Sequence, residues 1–324
     1  MLERLIITPC SDRKRGPKSE DLSASLLTSG SLKEVAREWW ERVTISGENN
    51  PANRVYKGRS FSTIMKSKNN LKSKNNLNCD LLIVSAGLGL VKDSQNIPNY
   101  SLTVSRGSKD SIKDKLLTDD FVPSDWWNEL KLINNNAFNL VAYLEKKEYS
   151  LIILNLSINY TKMIFDELKS LPKNISQKIR IVGVGVESYL PNNLRDNLLD
   201  YDQRLNGPQS ELPGTMSDLG SRCIYDFSNF LLINKDLGKS LEFDKAFVTS
   251  RLKPMEYPKA HDRTQLSNEE IIKFLLDNWK TFEGKSTKSL RFLRDEGFAC
   301  EQGRFRDLFY QAKNLKYGQK ELEL

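Results

Sequence analysis

Four short apolar runs, each closing on small or polar residues, constrain the fold of this chain more than any other feature. Leu5-Ile6-Ile7 stops at Thr8-Pro9 and opens into Cys10-Ser11-Asp12-Arg13-Lys14. Leu81-Leu82-Ile83-Val84 runs into Ser85-Ala86-Gly87-Leu88-Gly89, and Leu151-Ile152-Ile153-Leu154 runs into Asn155-Leu156-Ser157. Ile179-Arg180-Ile181-Val182 runs into Gly183-Val184-Gly185-Val186-Glu187-Ser188. Runs of this length bounded by turn residues predict buried strands, near 4–8, 81–85, 151–155 and 179–184. The helical stretches between them predict βαβ crossovers. The expected fold is therefore α/β, a three-layer αβα arrangement with a mainly parallel sheet of about four strands. In open sheets of this kind ligands bind at the carboxyl ends of the strands, so the four loops point to one shared site.

The rest of the chain divides by pattern. An amphipathic helix is expected around Ser31 to Val43, with Trp39-Trp40 as its core anchor. Lys-Ser-Lys-Asn-Asn-Leu occurs twice between Lys66 and Leu77, a low-complexity stretch that suits a solvated loop or loose helix end. Ser124 is the expected N-cap of a helix carrying Trp126-Trp127, followed by helices from Asn135 to Lys147 and from Tyr160 to Leu171. The stretches Tyr201 to Pro208 and Pro213 to Asp218 of one long loop hold two carboxylates and an arginine beside rigid turns, the kind of loop that is usually functional when it interrupts a compact domain. A helix from about Asp218 to Ile233 closes an α/β catalytic domain of residues 1–235. Residues 236–265 read as a polar linker, with His261 as a surface side chain. Residues 266–324 read as a small helical domain: a capping box at Ser267, a second helix from Ser286 and a third from Glu301. That is the order of a helix-turn-helix. Arg304 and Arg306 fall near the start of its recognition helix, with Arg291 and Arg294 on the helix before, so these four are the candidate DNA contacts.

Composition removes several chemistries. His261 is the only histidine, and Cys10, Cys79, Cys223 and Cys300 form no C-x-x-C pair. Ser-His-Asp and Cys-His catalysis, a zinc ribbon, an iron–sulfur cluster and a disulfide framework are all disfavoured, so no metal and no cofactor are expected. Gly87-Leu88-Gly89 lacks the third glycine of a dinucleotide fingerprint. The chemistry must then come from carboxylates, lysines, hydroxyls or backbone amides. A net charge of +7 and a pI near 9.0 favour an anionic partner, with nucleic acid first. No apolar run approaches the ~20 residues of a membrane span, and the first residues lack a signal-peptide layout, so a cytoplasmic protein without a membrane partner is expected.

The loop Pro9-Cys10-Ser11-Asp12-Arg13-Lys14 resembles the Pro-Cys-Ser-x-x-Lys loop of archaeosine-synthase-type domains, which are similar in fold to uracil-DNA glycosylases. Ser85-Ala86-Gly87-Leu88-Gly89-Leu90, followed by Tyr100, resembles a strand-end pattern in a wider set of bacterial proteins, with the peroxide-stress family more distant. Within that set the chain most resembles the anti-phage DNA glycosylases that excise glucosylated hydroxymethylcytosine from T-even phage DNA. The resemblance covers roughly residues 1 to 235. Three departures stand out. Arg15-Gly16-Pro17 replaces the Pro-Tyr-Ser that follows the archaeosine-type lysine. The Gly-x-Asp-Pro-Tyr and His-Pro-Ser loops of uracil-DNA glycosylases are also absent.

The resemblance implies a metal-independent glycosylase acting on double-stranded DNA that carries modified bases. Breaking the C–N bond leaves an oxocarbenium-like sugar that needs a nearby carboxylate, donors for the leaving base and a pocket for the flipped nucleotide. Asp12 is the first choice for the carboxylate, since it lies just beyond the first strand as the catalytic Asp of uracil-DNA glycosylases does. Asp218 and Asp202 on the long loop are the others. The expected substrate contacts are Cys10, Ser11, Arg13 and Lys14 on the first loop, and Tyr56 and Arg59 downstream of it. Ser85, Gly87 and Tyr100 belong to the second loop, Asn155 and Ser157 to the third, and Glu187 to the fourth. Two other functions fit the same residues: a DNA-binding regulator that senses a small ligand, and a deazaguanine-type base transglycosylase.

Overall fold

Leu5, Ile6 and Ile7 are each no more than 1% exposed. Successive strand residues point to opposite faces, so burial of all three means that both faces of their strand are covered. A computed structural model describes residues 3–16, 21–47, 50–72, 78–135, 138–259 and 262–318. It places β1 (Glu3–Pro9) in the middle of a five-stranded sheet, with β2 (Cys79–Ser85), β3 (Gly89–Lys92), β4 (Tyr149–Leu154) and β5 (Ile179–Ile181) in the order β3-β2-β1-β4-β5. Strands β2, β1, β4 and β5 run parallel, and Ile6 sits between Leu81 and Ile153. The expected α/β class and mainly parallel sheet are observed.

The sheet has one strand more than expected. Ser85 to Gly89 is a hairpin turn, and β3 returns antiparallel to β2 with Ser85 opposite Gly89. Gly89 has φ +74°, and a Cβ there would lie 2.4 Å from the Phe138 ring. Only glycine satisfies both conditions. The Trp126 and Trp39 indoles donate to the carbonyls of Ala86 and Gly87, each at 2.7 Å, so the turn is built into the core.

Helices α1 (Leu32–Ser46), α2 (Arg59–Lys72), α3 (Pro123–Ile133), α4 (Ile158–Met163) and α5 (Leu219–Ile233) pack in two groups, α2 with α5, and α3 with both α1 and α4. Ser31 and Glu34 form a capping box on α1, and Trp39 is fully buried. The first helix turn of α3 begins at Pro123 after Val122 rather than at Ser124, because proline's fixed φ and missing N–H suit that position. The first copy of the hexad continues α2, where Ser67 and Leu71 are fully buried; residues 73–77 lie outside the described residues, as does His261. The helix expected over 135–147 covers only Leu140–Glu145, and the one over 160–171 is broken at Ile164 into α4 and Phe165–Lys169.

The largest correction concerns residues 236–265. Leu241–Leu252 is a helix, α6, whose buried stripe is Asp244, Val248 and Leu252. Asp244 meets the buried Arg180 of β5 at 2.5 Å. A charged residue in the buried stripe makes the sequence look like polar linker. The chain accordingly divides into compact units at Met1–Pro258 and Lys259–Leu324. The second unit contains α7 (Asn268–Asp277), α8 (Ser286–Asp295) and α9 (Gln302–Gly318), and the short strand Thr264–Gln265 pairs with Phe298–Ala299. It has its own core, including Ile271, Leu275, Phe282, Leu293 and Phe305. Among the described residues no helix is long and apolar enough to cross a membrane.

Candidate functional site

Among the four parallel strands the order β2-β1-β4-β5 reverses direction at β1 and β4, so the switch point lies between their carboxyl ends. A cleft of about 460 Å³ opens beside it. It is lined by Thr8 to Arg13 at the end of β1 and just beyond it, by Gly58 to Phe61 at the start of α2, and by Thr215, Ser217 and Asp218 before α5. The first loop is held against the approach to α2. Ser11 Oγ donates to Lys57 O at 2.6 Å and accepts from Arg13 N, while Lys57 N donates to Arg13 O at 3.0 Å. Gly58, at φ +102°, turns the chain into α2 next to the Arg13 side chain.

The two carboxylates that reach this cleft are in opposite states. Asp12 is exposed and makes no hydrogen bond or ion pair among the described residues. Its charge is felt at the Tyr160 hydroxyl. Asp218 is buried and held from both sides: Oδ1 accepts from Arg222 Nε at 3.0 Å and Thr215 N at 2.8 Å, and Oδ2 lies 3.1 Å from Arg59 Nε. Arg59 also donates to Pro213 O. Arg222, 3% exposed, places its remaining donors on Leu205 O, Leu212 O, Thr215 O and Asn206 Oδ1. All five N–H groups of that guanidinium are used. The long loop is thus organised around one buried arginine. Arg222 is not among the residues expected at the site, although its spacing of four from Asp218 at a helix start is the pattern of a local ion pair.

Asp202 does not line the cleft. It accepts from Arg204 N and Nε and from Tyr257 Oη, shaping the turn at Gln203–Asn206. Burial works against its charge, but these hydrogen bonds outweigh it and hold the carboxyl below its ordinary range.

Through Cys10 the cleft meets a buried polar layer. Cys10 Sγ lies 3.0 Å from Tyr160 Oη, across the switch point. Tyr56 and Tyr100 hydroxyls pair at 2.9 Å, and Tyr100 pairs with Ser85 Oγ at 2.6 Å. Ser85 also receives the Gly87 and Leu88 amides. Burial first, and then the nearby Cys10, raises the pKa of all three phenols, so they stay neutral. The Lys14 ammonium lies 4.1 Å from the Tyr100 ring centre, within cation–π range.

The structure therefore gathers Cys10, Ser11, Asp12, Arg13, Arg59 and Asp218 on one cleft, with Lys14, Tyr56, Ser85 and Tyr100 in the layer that adjoins it. Other expected contacts fall elsewhere. Gly87 is packed between Tyr100 and Trp39, where a Cβ would come within 3.0 Å of both. Asn155 packs on Gly220 at the start of α5. Ser157 is the exposed residue before α4, and Glu187 is exposed on a one-turn helix. In the second unit, Arg304 donates to Asn268 Oδ1 and Leu266 O, and Arg294 to Cys300 O. Arg291 and Arg306 are exposed beside Asp295 and Asp307. Among the described residues no group of three or more His, Cys, Asp or Glu side chains is placed to hold a metal ion. No family model, curated protein or solved structure matches this chain at a significant level.

Proposed function

We propose that the chain is a DNA glycosylase of uracil-DNA-glycosylase-like fold that releases a modified cytosine, glucosylated hydroxymethylcytosine being the first candidate. The observation that carries this reading is the unpaired Asp12 carboxylate on the cleft beside the β1/β4 switch point, next to an Asp218 already neutralised by two arginines. In the proposed reaction the C1′–N bond breaks with its electron pair leaving on the base. Asp12 stabilises the cation-like sugar, as an electrostatic group aimed at developing charge does. Water then adds at C1′ and gives up a proton, while the departing base takes one, leaving an abasic sugar. Arg13, exposed and unpaired among the described residues, supplies positive charge for the backbone phosphate.

The test is a base-release assay on duplexes identical except for glucosylated hydroxymethylcytosine or plain cytosine, read by mass spectrometry of the free base. Release from the modified duplex alone supports the proposal. Binding without release from either duplex favours the ligand-sensing regulator.

A further inference from the structure

The second unit carries a groove of its own. It has a volume of about 250 Å³ and is lined by Arg263, Gln265, Arg294, Ala299, Cys300, Glu301 and Arg304. Three guanidinium groups around so small a space repel one another unless something negative sits between them. None of the three has a carboxylate within ion-pair distance among the described residues. Glu301 also lines the groove and feels the charge of Arg294, but it forms no ion pair with any of the three. Its carboxylate accepts the Gly303 and Arg304 amides at the start of α9, and these bonds hold its pKa below the ordinary value.

The arginines are also fixed in place. Arg263 Nε donates to Arg294 O at 3.0 Å, Arg294 Nη2 to Cys300 O at 3.1 Å, and Arg304 to Asn268 Oδ1 and Leu266 O. All three are half-buried. Each spends one or two of its five N–H donors on the fold and keeps the others, with no carboxylate in ion-pair contact among the described residues. Preoriented guanidinium forks without a carboxylate partner match the oxygens of a phosphate group. We propose that this groove is a phosphate-binding site. It stands apart from the cleft chemistry, and it holds whether or not the first unit releases a base.

The phosphate can belong to a nucleic-acid backbone or to a free molecule, and two measurements on the full chain separate these. The first is calorimetric titration with inorganic phosphate. The second is the affinity for an unmodified DNA duplex across a salt series, which requires no turnover. Gln265→Glu is the main variant, because Gln265 is exposed, lines the groove and makes no side-chain hydrogen bond among the described residues. It brings a carboxylate to the arginines without removing any of them. The expected result is an unchanged or higher melting temperature with loss of one phosphate-binding event. If the phosphate is that of DNA, duplex affinity also falls roughly fivefold or more and the salt slope drops by about one. Loss of inorganic phosphate binding with unchanged DNA affinity assigns the groove to a free phosphate compound. Should Gln265→Glu fail to fold, Arg263→Lys, which keeps the charge and loses the fork, is read in the same two assays. A folded variant that changes neither measurement overturns the proposal.

Discussion

Arg222 holds Asp218 from one turn further along the chain, Nε 3.0 Å from Oδ1, while both side chains are almost fully buried. From the opposite side Arg59, at the start of α2, reaches the same carboxylate. The pair therefore joins α5, the 205–218 loop and α2 into one wall of the cleft, and Asp218 is a structural anchor of the site.

Arg222→Met should consequently be among the most destabilising changes in the first unit. It strands a buried carboxylate and removes the donors from the Leu205, Leu212 and Thr215 carbonyls. Breaking one side of a buried pair costs on the order of 3–5 kcal/mol. Denaturant titration checks this; a loss below about 1 kcal/mol would mean that the loop is held by other contacts.

Gly214→Ala should act on the same anchor. A Cβ at Gly214 would lie 2.3 Å from Arg222 Nε and 2.6 Å from Asp218 Oδ1, forcing the pair apart. The two substitutions disturb one network, so their effects should be strongly non-additive. A double mutant whose loss equals the sum of the single losses would place the damage of Gly214→Ala elsewhere.

Asp12→Asn should separate chemistry from folding. The side chain is exposed and unpaired among the described residues, so the melting temperature should stay within the scatter of a surface substitution. Base release should fall by a factor of ~100 or more, the usual cost of losing one electrostatic stabiliser. Asp218→Asn is the contrasting variant, with a lower melting temperature. Full activity in Asp12→Asn would remove the proposed role of that carboxylate.

The pH dependence of Asp202 is directional. Its carboxyl sits below the ordinary value of 3.8 in the folded protein, because the Arg204 and Tyr257 hydrogen bonds outweigh burial. A depressed carboxyl stabilises above the unfolded-state pKa and loses that contribution as pH falls through the folded one. At pH 7 Asp202→Asn should be less stable than the parent by up to about 1 kcal/mol, the scale of a solvent-screened charge pair. The difference should shrink once the pH drops below 4. A gap that is constant across acid pH would show that the charge contributes nothing.

Sequence patterns revealed the four parallel strands because each is buried on both faces and is apolar throughout its centre, except for Arg180 in β5. They concealed β3, since Gly87-Leu88-Gly89 looks like an open strand end and the three residues after it make a weak strand signal. They concealed α6 because Asp244 occupies its buried stripe beside Arg180, a partner supplied by a distant strand. At the site, the β1 loop was legible, yet the different states of Asp12 and Asp218 depend on Arg222, whose four-residue spacing is local, and on Arg59, which only the fold brings to Asp218. Glu187 and Ser157 share the sheet edge with Asp12 but not its cleft. Neighbouring strands lie ~4.8 Å apart, so the loop after β5 starts ~10 Å to one side of β1.

The placement of the five tryptophans has a practical consequence. Trp39 and Trp126 hang on adjacent carbonyls of the β2–β3 turn, and Trp127 donates to Glu167, so these three indoles are sequestered, hydrogen-bonded emitters whose fluorescence should shift to longer wavelength when the first unit opens. Trp279, stacked on Phe309 with ring centres 5.3 Å apart, is the single indole of the second unit. Comparing parent and Trp279→Phe emission during a melt therefore gives each unit its own optical signal, with no added dye.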